Sequence, residues 1–367
     1  MTKPIKIINI VGTRPNFMKI APIMHSMKLS SRIEPILLHT GQHYDTQMSD
    51  TFFDELQIPR PEISLNIGSG THARQVAYIM EKFDSVCEEL NPDAILVVGD
   101  VNSTMACSLV AAKKNIKIIH VEAGIRSRDR TMPEEINRLV TDSIADLLLP
   151  PSPDAVENLL NEGHTPDSIL MVGNIMIDTL MKQQPGIKAS IILNKLGLVE
   201  REFVTLTMHR PSNVDDPITF KRILDALFII QSKIRIVFPV HPRTRKMIMD
   251  SGFEDYITAM TNLTLCDPLG YYDFGKLVSE SKFVLTDSGG IQEETTVYGI
   301  PCITLRENTE RPITITEGTN ELAGSDTAKI VKYSLQILDG KWKSGATPQL
   351  WDGKTAERII NFIEERL

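Results

Sequence analysis

Three carboxylates in the first half of the chain sit where proton transfer would need them. Asp100 and Glu122 follow closely on apolar runs at residues 95–98 and 116–121, and Glu134 stands in the first turn of a helix opening at Pro133. If the two runs are neighbouring strands, Asp100 and Glu122 lie side by side, and three acids around one crevice suit general acid–base chemistry. A carboxylate at a strand end also serves as a helix cap, and Asp100 taken alone reads that way. Glu122 resists that reading, being set between His120-Val121 and Ala123-Gly124 with Arg126 and Arg128 just beyond.

Opposite charge is supplied by Arg14, Lys19, His209 and Arg210. Arg14 lies in a Gly-Thr-Arg-Pro turn and Lys19 falls about one helical turn later, so both are expected to face a phosphoryl group. The second half carries Asp287-Ser288-Gly289-Gly290 running into a helix, with Glu294 a turn inside it. Two glycines let the backbone approach a ligand, Ser288 adds a hydroxyl, and the free N–H groups of the helix suit a diphosphate. Glu294 is then placed to accept ribose hydroxyls. An ordinary tight strand-to-helix turn with a capping serine uses the same residues.

Two missing patterns prune the alternatives. No Gly-x-Gly-x-x-Gly follows the first strand and no Gly-x-x-x-x-Gly-Lys-Ser/Thr occurs, which disfavours nicotinamide and P-loop chemistry. The remaining histidines, His25, His39, His72, His120 and His164, read as structural. Without a Glu-x-x-His or His-x-x-x-His spacing no metal is expected.

These groups recur at the ends of apolar β-type runs, at residues 5–11, 36–39, 95–98 and 116–121 and again at 204–207, 234–240 and 283–286. In an open parallel α/β sheet the ligand crevice lies at the carboxyl ends of the strands, so two such crevices are expected. Strand and helix periods alternate, which argues for βαβ units. Helices are expected at 105–112, 155–163, 178–202 and 354–367, and a further strand at 169–172. At 367 residues the chain exceeds the size at which one core keeps growing. Gly173-Asn174 reads as the boundary, giving domains 1–173 plus 354–367 and 174–353. The last helix carries a stripe of Ala356, Ile359, Ile360, Phe362 and Ile363 that has to be buried.

Composition excludes other classes. With 39 Lys and Arg against 47 Asp and Glu, a formal charge of -8 and no basic block, nucleic acid is not an expected partner. Cys87, Cys107, Cys266 and Cys302 are far apart in sequence and read as buried reduced thiols. No tripartite signal pattern opens the chain and no apolar run approaches a bilayer span, so a cytoplasmic protein with no membrane partner is expected.

Taken in order, Gly12-Thr13-Arg14-Pro15 with Lys19, Gly41-Gln42-His43, Val98-Gly99-Asp100, His120-Val121-Glu122-Ala123-Gly124, Pro133-Glu134-Glu135, Val172-Gly173-Asn174, Thr207-Met208-His209-Arg210 and Asp287-Ser288-Gly289-Gly290 with Glu294 resemble the non-hydrolysing UDP-N-acetylglucosamine 2-epimerases. The resemblance implies an α/β, GT-B-like fold: two Rossmann-like domains with parallel sheets facing across a cleft, the last helix crossing back to the first domain. It implies a UDP-sugar substrate, no cofactor and a homodimer. Asp100, Glu122 and Glu134 become the acid/base group, His209 and Arg14 attend the leaving group, and Arg138 supports Glu134. Phe274 looks like the uracil platform, and His241, Arg243, Glu310 and Arg311 line the cleft. The chain departs from the family at Pro211-Ser212-Asn213 and at Tyr44-Asp45-Thr46-Gln47. Those departures leave room for a related sugar such as a UDP-diacetamido-uronic acid; a GT-B glycosyltransferase, whose nucleotide half would show the same Gly-rich turn and helix, is the alternative reading.

Overall fold

The computed structural model describes residues 3–42, 53 and 59–367. The chain divides into two compact units, Met1–Lys182 with Gln349–Leu367, and Gln183–Pro348.

In the first unit six strands form a wholly parallel sheet: β1 (Ile5–Val11), β2 (Ile33–His39), β3 (Ile63–Ser64), β4 (Ala94–Val98), β5 (Lys117–Val121) and β6 (Leu147–Leu149), in the order β3-β2-β1-β4-β5-β6. Every residue of β4 is buried, as expected of a central strand covered on both faces. The order reverses between β1 and β4, which makes the gap beyond their carboxyl ends the topological switch point. Gly12-Thr13-Arg14 leaves β1 there and Gly99-Asp100 leaves β4. Val98 pairs with Val121, so the turn carrying Glu122 lies beside the turn carrying Asp100.

The second unit repeats the plan with β7 (Phe203–Thr207), β8 (Arg235–Pro239), β9 (Leu263–Cys266), β10 (Phe283–Thr286), β11 (Cys302–Thr304) and β12 (Asn320–Leu322), ordered β12-β11-β10-β7-β8-β9. Its switch point falls between β7 and β10, where His209-Arg210 and Asp287-Ser288 emerge. Its core gathers Val204, Leu206, Phe220, Phe238, Phe283 and Leu285 between sheet and helices.

Three sequence expectations change. The helical stretch expected at 178–202 is parts of two helices, Ile175–Ala189 and Ile192–Leu196. Residues 169–172 do not form a strand of the sheet; Ile169 makes an isolated bridge to Leu148, and Leu170 and Val172 donate to Leu148 and Pro150 at 3.0 and 3.1 Å. The division between units falls at Lys182/Gln183, inside the helix Ile175–Ala189, and not at Gly173-Asn174. Gly173 is a close-approach position: at φ +91°, a Cβ there would stand 2.2 Å from the Leu350 carbonyl oxygen of the returning chain. The start of the helix that follows still belongs to the first unit, burying Ile175, Ile177 and Leu180, with Thr179 Oγ1 donating to Met18 O at 2.6 Å.

The final helix, Thr355–Arg366, packs against Arg14–Leu29 and buries Ala356, Ile359, Ile360, Phe362 and Ile363, the stripe read from the sequence. Asp178 caps it from outside, accepting from Thr355 and Ala356 N–H at 3.1 and 2.8 Å. Cys87, Cys107, Cys266 and Cys302 are free thiols.

Candidate active site

At the first switch point the chain leaves β1 through a turn that only glycine permits: a Cβ on Gly12 would lie 2.3 Å from Ser103 Oγ. Asn16 fastens this turn, its Oδ1 accepting from Gly12 and Thr13 N–H at 3.2 and 3.0 Å and its amide donating to Val98 O at 3.0 Å. The ends of β1 and β4 are thereby tied together. Arg14, exposed, opens the helix Arg14–Leu29. Lys19, on the same helix, reaches Glu122 Oε2 at 2.5 Å, so its ammonium faces a carboxylate in this structure rather than open space for a phosphoryl group.

Glu122 is buried and sits at φ +69°, a left-handed conformation that costs a non-glycine residue energy. Its carboxylate lies over Gly99, where a Cβ would meet Glu122 Oε2 at 3.4 Å and Lys19 Nζ at 3.4 Å. Asp100 follows directly, its carboxylate held by Arg138 and its carbonyl by Asn137 Nδ2 at 2.8 Å. The two acids expected side by side are therefore neighbours, each matched by one cation.

Arg138 does not support Glu134. It pairs with Asp100 and, one helical turn back, with Glu135 at 3.2 Å. Glu135 is the buried carboxylate of the pair, also accepting from Ser127 N–H at 2.8 Å and Arg128 N–H at 3.0 Å. Glu134, also one helical turn before Arg138, is half-buried and carries no side-chain hydrogen bond among the described residues. His43 and Tyr44-Asp45-Thr46-Gln47 lie outside the described residues.

The second switch point is organised by Asp287, a residue quoted in its motif but given no role in the sequence reading. Fully buried at the end of β10, its Oδ2 accepts from His209 and Arg210 N–H at 2.9 and 2.8 Å and from Asn213 Nδ2 at 3.2 Å. Its Oδ1 stands 3.2 Å from His209 Nδ1. Burial pushes the His209 pKa below the usual histidine value, against the pull of Asp287. His241 caps the helix Pro242–Asp250 and its ring lies 5.5 Å from that of His209. Arg243 is engaged with Asp215 at 2.6 Å.

Ser288 and the helix Gly289–Tyr298 follow β10. Nothing lies within 4 Å of a Cβ built on Gly290, so the backbone there is open to an approaching group. Glu294, one turn in, is buried, and burial with the adjacent Glu293 pushes its pKa up to about 8. Arg311 is paired with Glu293, and Arg306 with Glu310 at 3.1 Å. Phe274 packs partly buried against Val278, Val284, Ile291 and Ile300. Among the described residues no cluster of three or more His, Cys, Asp or Glu is arranged to hold a metal ion, and no helix is long and apolar enough to cross a membrane.

Two Rossmann-like parallel sheets, one with paired acids and the other with a glycine-opened helix at the switch point, define the class: GT-B-like enzymes of nucleotide sugars. Residues 25–364 match the family model described as UDP-N-acetylglucosamine 2-epimerase, and the chain belongs to that family. It is 44% identical over 329 residues, 89% of this chain and 91% of the relative, to a UDP-N-acetylglucosamine 2-epimerase homolog of Methanococcus maripaludis. Identity is 36% over 362 residues, 98% of this chain and 99% of the relative, to UDP-2,3-diacetamido-2,3-dideoxy-D-glucuronate 2-epimerase of Pseudomonas aeruginosa. A crystal structure of Methanocaldococcus jannaschii UDP-GlcNAc 2-epimerase in complex with UDP-GlcNAc and UDP has a TM-score of 0.87 at 37% identity, covering 98% of this chain and 100% of that one.

Proposed function

We propose that this chain interconverts UDP-GlcNAc and UDP-ManNAc without hydrolysis. The C2 proton of the sugar is not beside a carbonyl, so direct removal at neutral pH is out of reach. Loosening the C1–O bond to UDP builds oxocarbenium character that acidifies C2. Anti elimination then gives 2-acetamidoglucal and UDP; return of a proton to the opposite face and re-addition of UDP invert C2. Two faces require two proton-handling groups.

The observation that carries the reading is the pairing of Asp100 and Glu122 around Gly99, each with its own cation, Arg138 and Lys19. Asp100, Glu122 and Glu134 form the acid/base group. Arg14, His209, Arg210 and the Ser288-Gly289-Gly290 turn hold the departing diphosphate by charge and by helix N–H groups. Glu294 takes the ribose, Phe274 the uracil ring, and His241 and Arg311 complete the nucleotide contacts. A cytoplasmic homodimer goes with this reading; sedimentation at twice the 41.1 kDa chain mass supports the dimer and sedimentation at the single mass refutes it.

Purified protein given UDP-GlcNAc alone is expected to form UDP-ManNAc to a fixed equilibrium ratio with UDP-sugar conserved. Stoichiometric release of free ManNAc and UDP, or turnover only with an acceptor, contradicts it. Turnover of a UDP-diacetamido-uronic acid in preference to UDP-GlcNAc assigns the substrate to the related sugar.

A further inference from the structure

Beneath Asp100 and Glu122 lies a buried charged network that the proposed chemistry does not use. His120 is fully buried on β5, with Nδ1 2.6 Å from Asp142 Oδ1 and Nε2 2.9 Å from the Gly99 carbonyl oxygen. Asp142, also fully buried, accepts on its other oxygen from Gly124 N–H at 3.0 Å and lies 2.6 Å from the Arg126 guanidinium. Arg126 continues to Glu162 at 2.5 and 2.8 Å.

Both nitrogens of the His120 ring face acceptors. The Gly99 carbonyl can only accept, and the Asp142 carboxylate already has two donors on Oδ2 that cannot be anything else. Both contacts lie deep in the core, where an unmet polar group is costly. The ring is therefore fixed between them, with Nε2 donating to the Gly99 carbonyl. Burial raises the Asp142 pKa, but His120, Arg126 and the Gly124 N–H outweigh it and hold that carboxyl below its usual range.

The two ends of this rigid ring reach the two turns that carry the acids. One bond holds the carbonyl of Gly99, the residue before Asp100; the other, through Asp142, holds Gly124, two residues after Glu122. Gly99, Glu122 and Gly124 all lie at positive φ, +72°, +69° and +77°, so these turns do not keep their shape by local preference. We infer that His120, held at both ring nitrogens, is the positioning residue that sets the spacing of the Asp100 and Glu122 carboxylates. This rests on the reading of those two acids as the proton-handling pair.

Two substitutions each keep one contact. In His120→Asn the amide nitrogen takes the place of Nδ1, keeping Asp142 and releasing Gly99; in His120→Gln it reaches toward the place of Nε2, keeping Gly99. The Asn variant is expected to lose kcat on UDP-GlcNAc by roughly 100-fold, the effect of a misplacement of about 1 Å in a reacting group, with KM and calorimetric UDP affinity little changed. The Gln variant is expected to recover most of that loss. An Asn variant with wild-type kcat, or a Gln variant as slow as Asn, overturns the positioning role. Imidazole 15N spectra of the wild type should show a proton on Nε2 of His120, the nitrogen facing the Gly99 carbonyl, and a lone pair there overturns the inference even if neither variant folds. A wild type without epimerase turnover instead refutes the functional reading and leaves the 15N result to stand by itself.

Discussion

Replacing Glu294 by Gln removes a charge that the native second unit tolerates poorly. The folded carboxyl titrates at about 8 against an ordinary 4.5, burial being the main cause and Glu293 the second. The native state therefore holds this proton more tightly than the unfolded chain does. The stability this contributes is fully present below about pH 4.5 and is lost as pH rises through about 8. Across that window the loss amounts to about 5 kcal/mol at about 1.4 kcal/mol for each tenfold change in proton affinity. That is a large share of the roughly 5–15 kcal/mol that holds a domain folded. Denaturant unfolding of wild type and Glu294→Gln at pH 5 and pH 8.5, taken as the difference between the proteins, isolates this one group. The Gln variant is expected to gain several kcal/mol on wild type between the two pH values, and parallel pH dependences refute the reasoning. Ligand binding carries the opposite sign. In the proposed contact with Glu294, ribose hydroxyls donate to the ionised form, so UDP is expected to bind wild type more tightly as pH rises toward 8, by at most about tenfold per pH unit, and the Gln variant is expected to lose that dependence.

Asp100→Asn, Glu122→Gln and Glu134→Gln are each expected to lower turnover by roughly 100-fold or more while UDP affinity holds; a near-normal rate in any one, measured by coupled assay or NMR, removes that residue from the acid/base group. Asp178→Ala takes the cap from the final helix and is expected to cost about 1 kcal/mol of stability. Faster amide exchange at Thr355 and Ala356 is its expected local signature, and unchanged protection there contradicts the capping role assigned to Asp178.

The alternation of apolar runs with helical periods was enough to read two parallel-sheet units and to put the polar chemistry at strand ends. Partner choice was not legible in the same way. Lys19 meets Glu122 only because β1, β4 and β5 lie side by side in that order, and the order is a property of the assembled sheet. Arg138 takes Asp100 across the sheet end and Glu135 one turn back on its own helix; Glu134 lies one turn back as well, so spacing alone does not choose between the two. Gly173 looked like linker punctuation because a glycine needed for close packing and a glycine needed for a turn are the same letter; the approach of Leu350 separates them. Asp287 was hidden for a related reason, since a buried carboxylate collecting backbone N–H groups from a turn 78 residues away in sequence leaves no local pattern.

The account stands or falls on proton exchange at C2. Purified protein is incubated with UDP-GlcNAc alone in deuterated water and the sugar resonances are followed by NMR. The UDP-ManNAc formed is expected to carry deuterium at C2, with chelator and added nicotinamide cofactor making no difference. Product that retains its original proton at C2 contradicts the elimination mechanism.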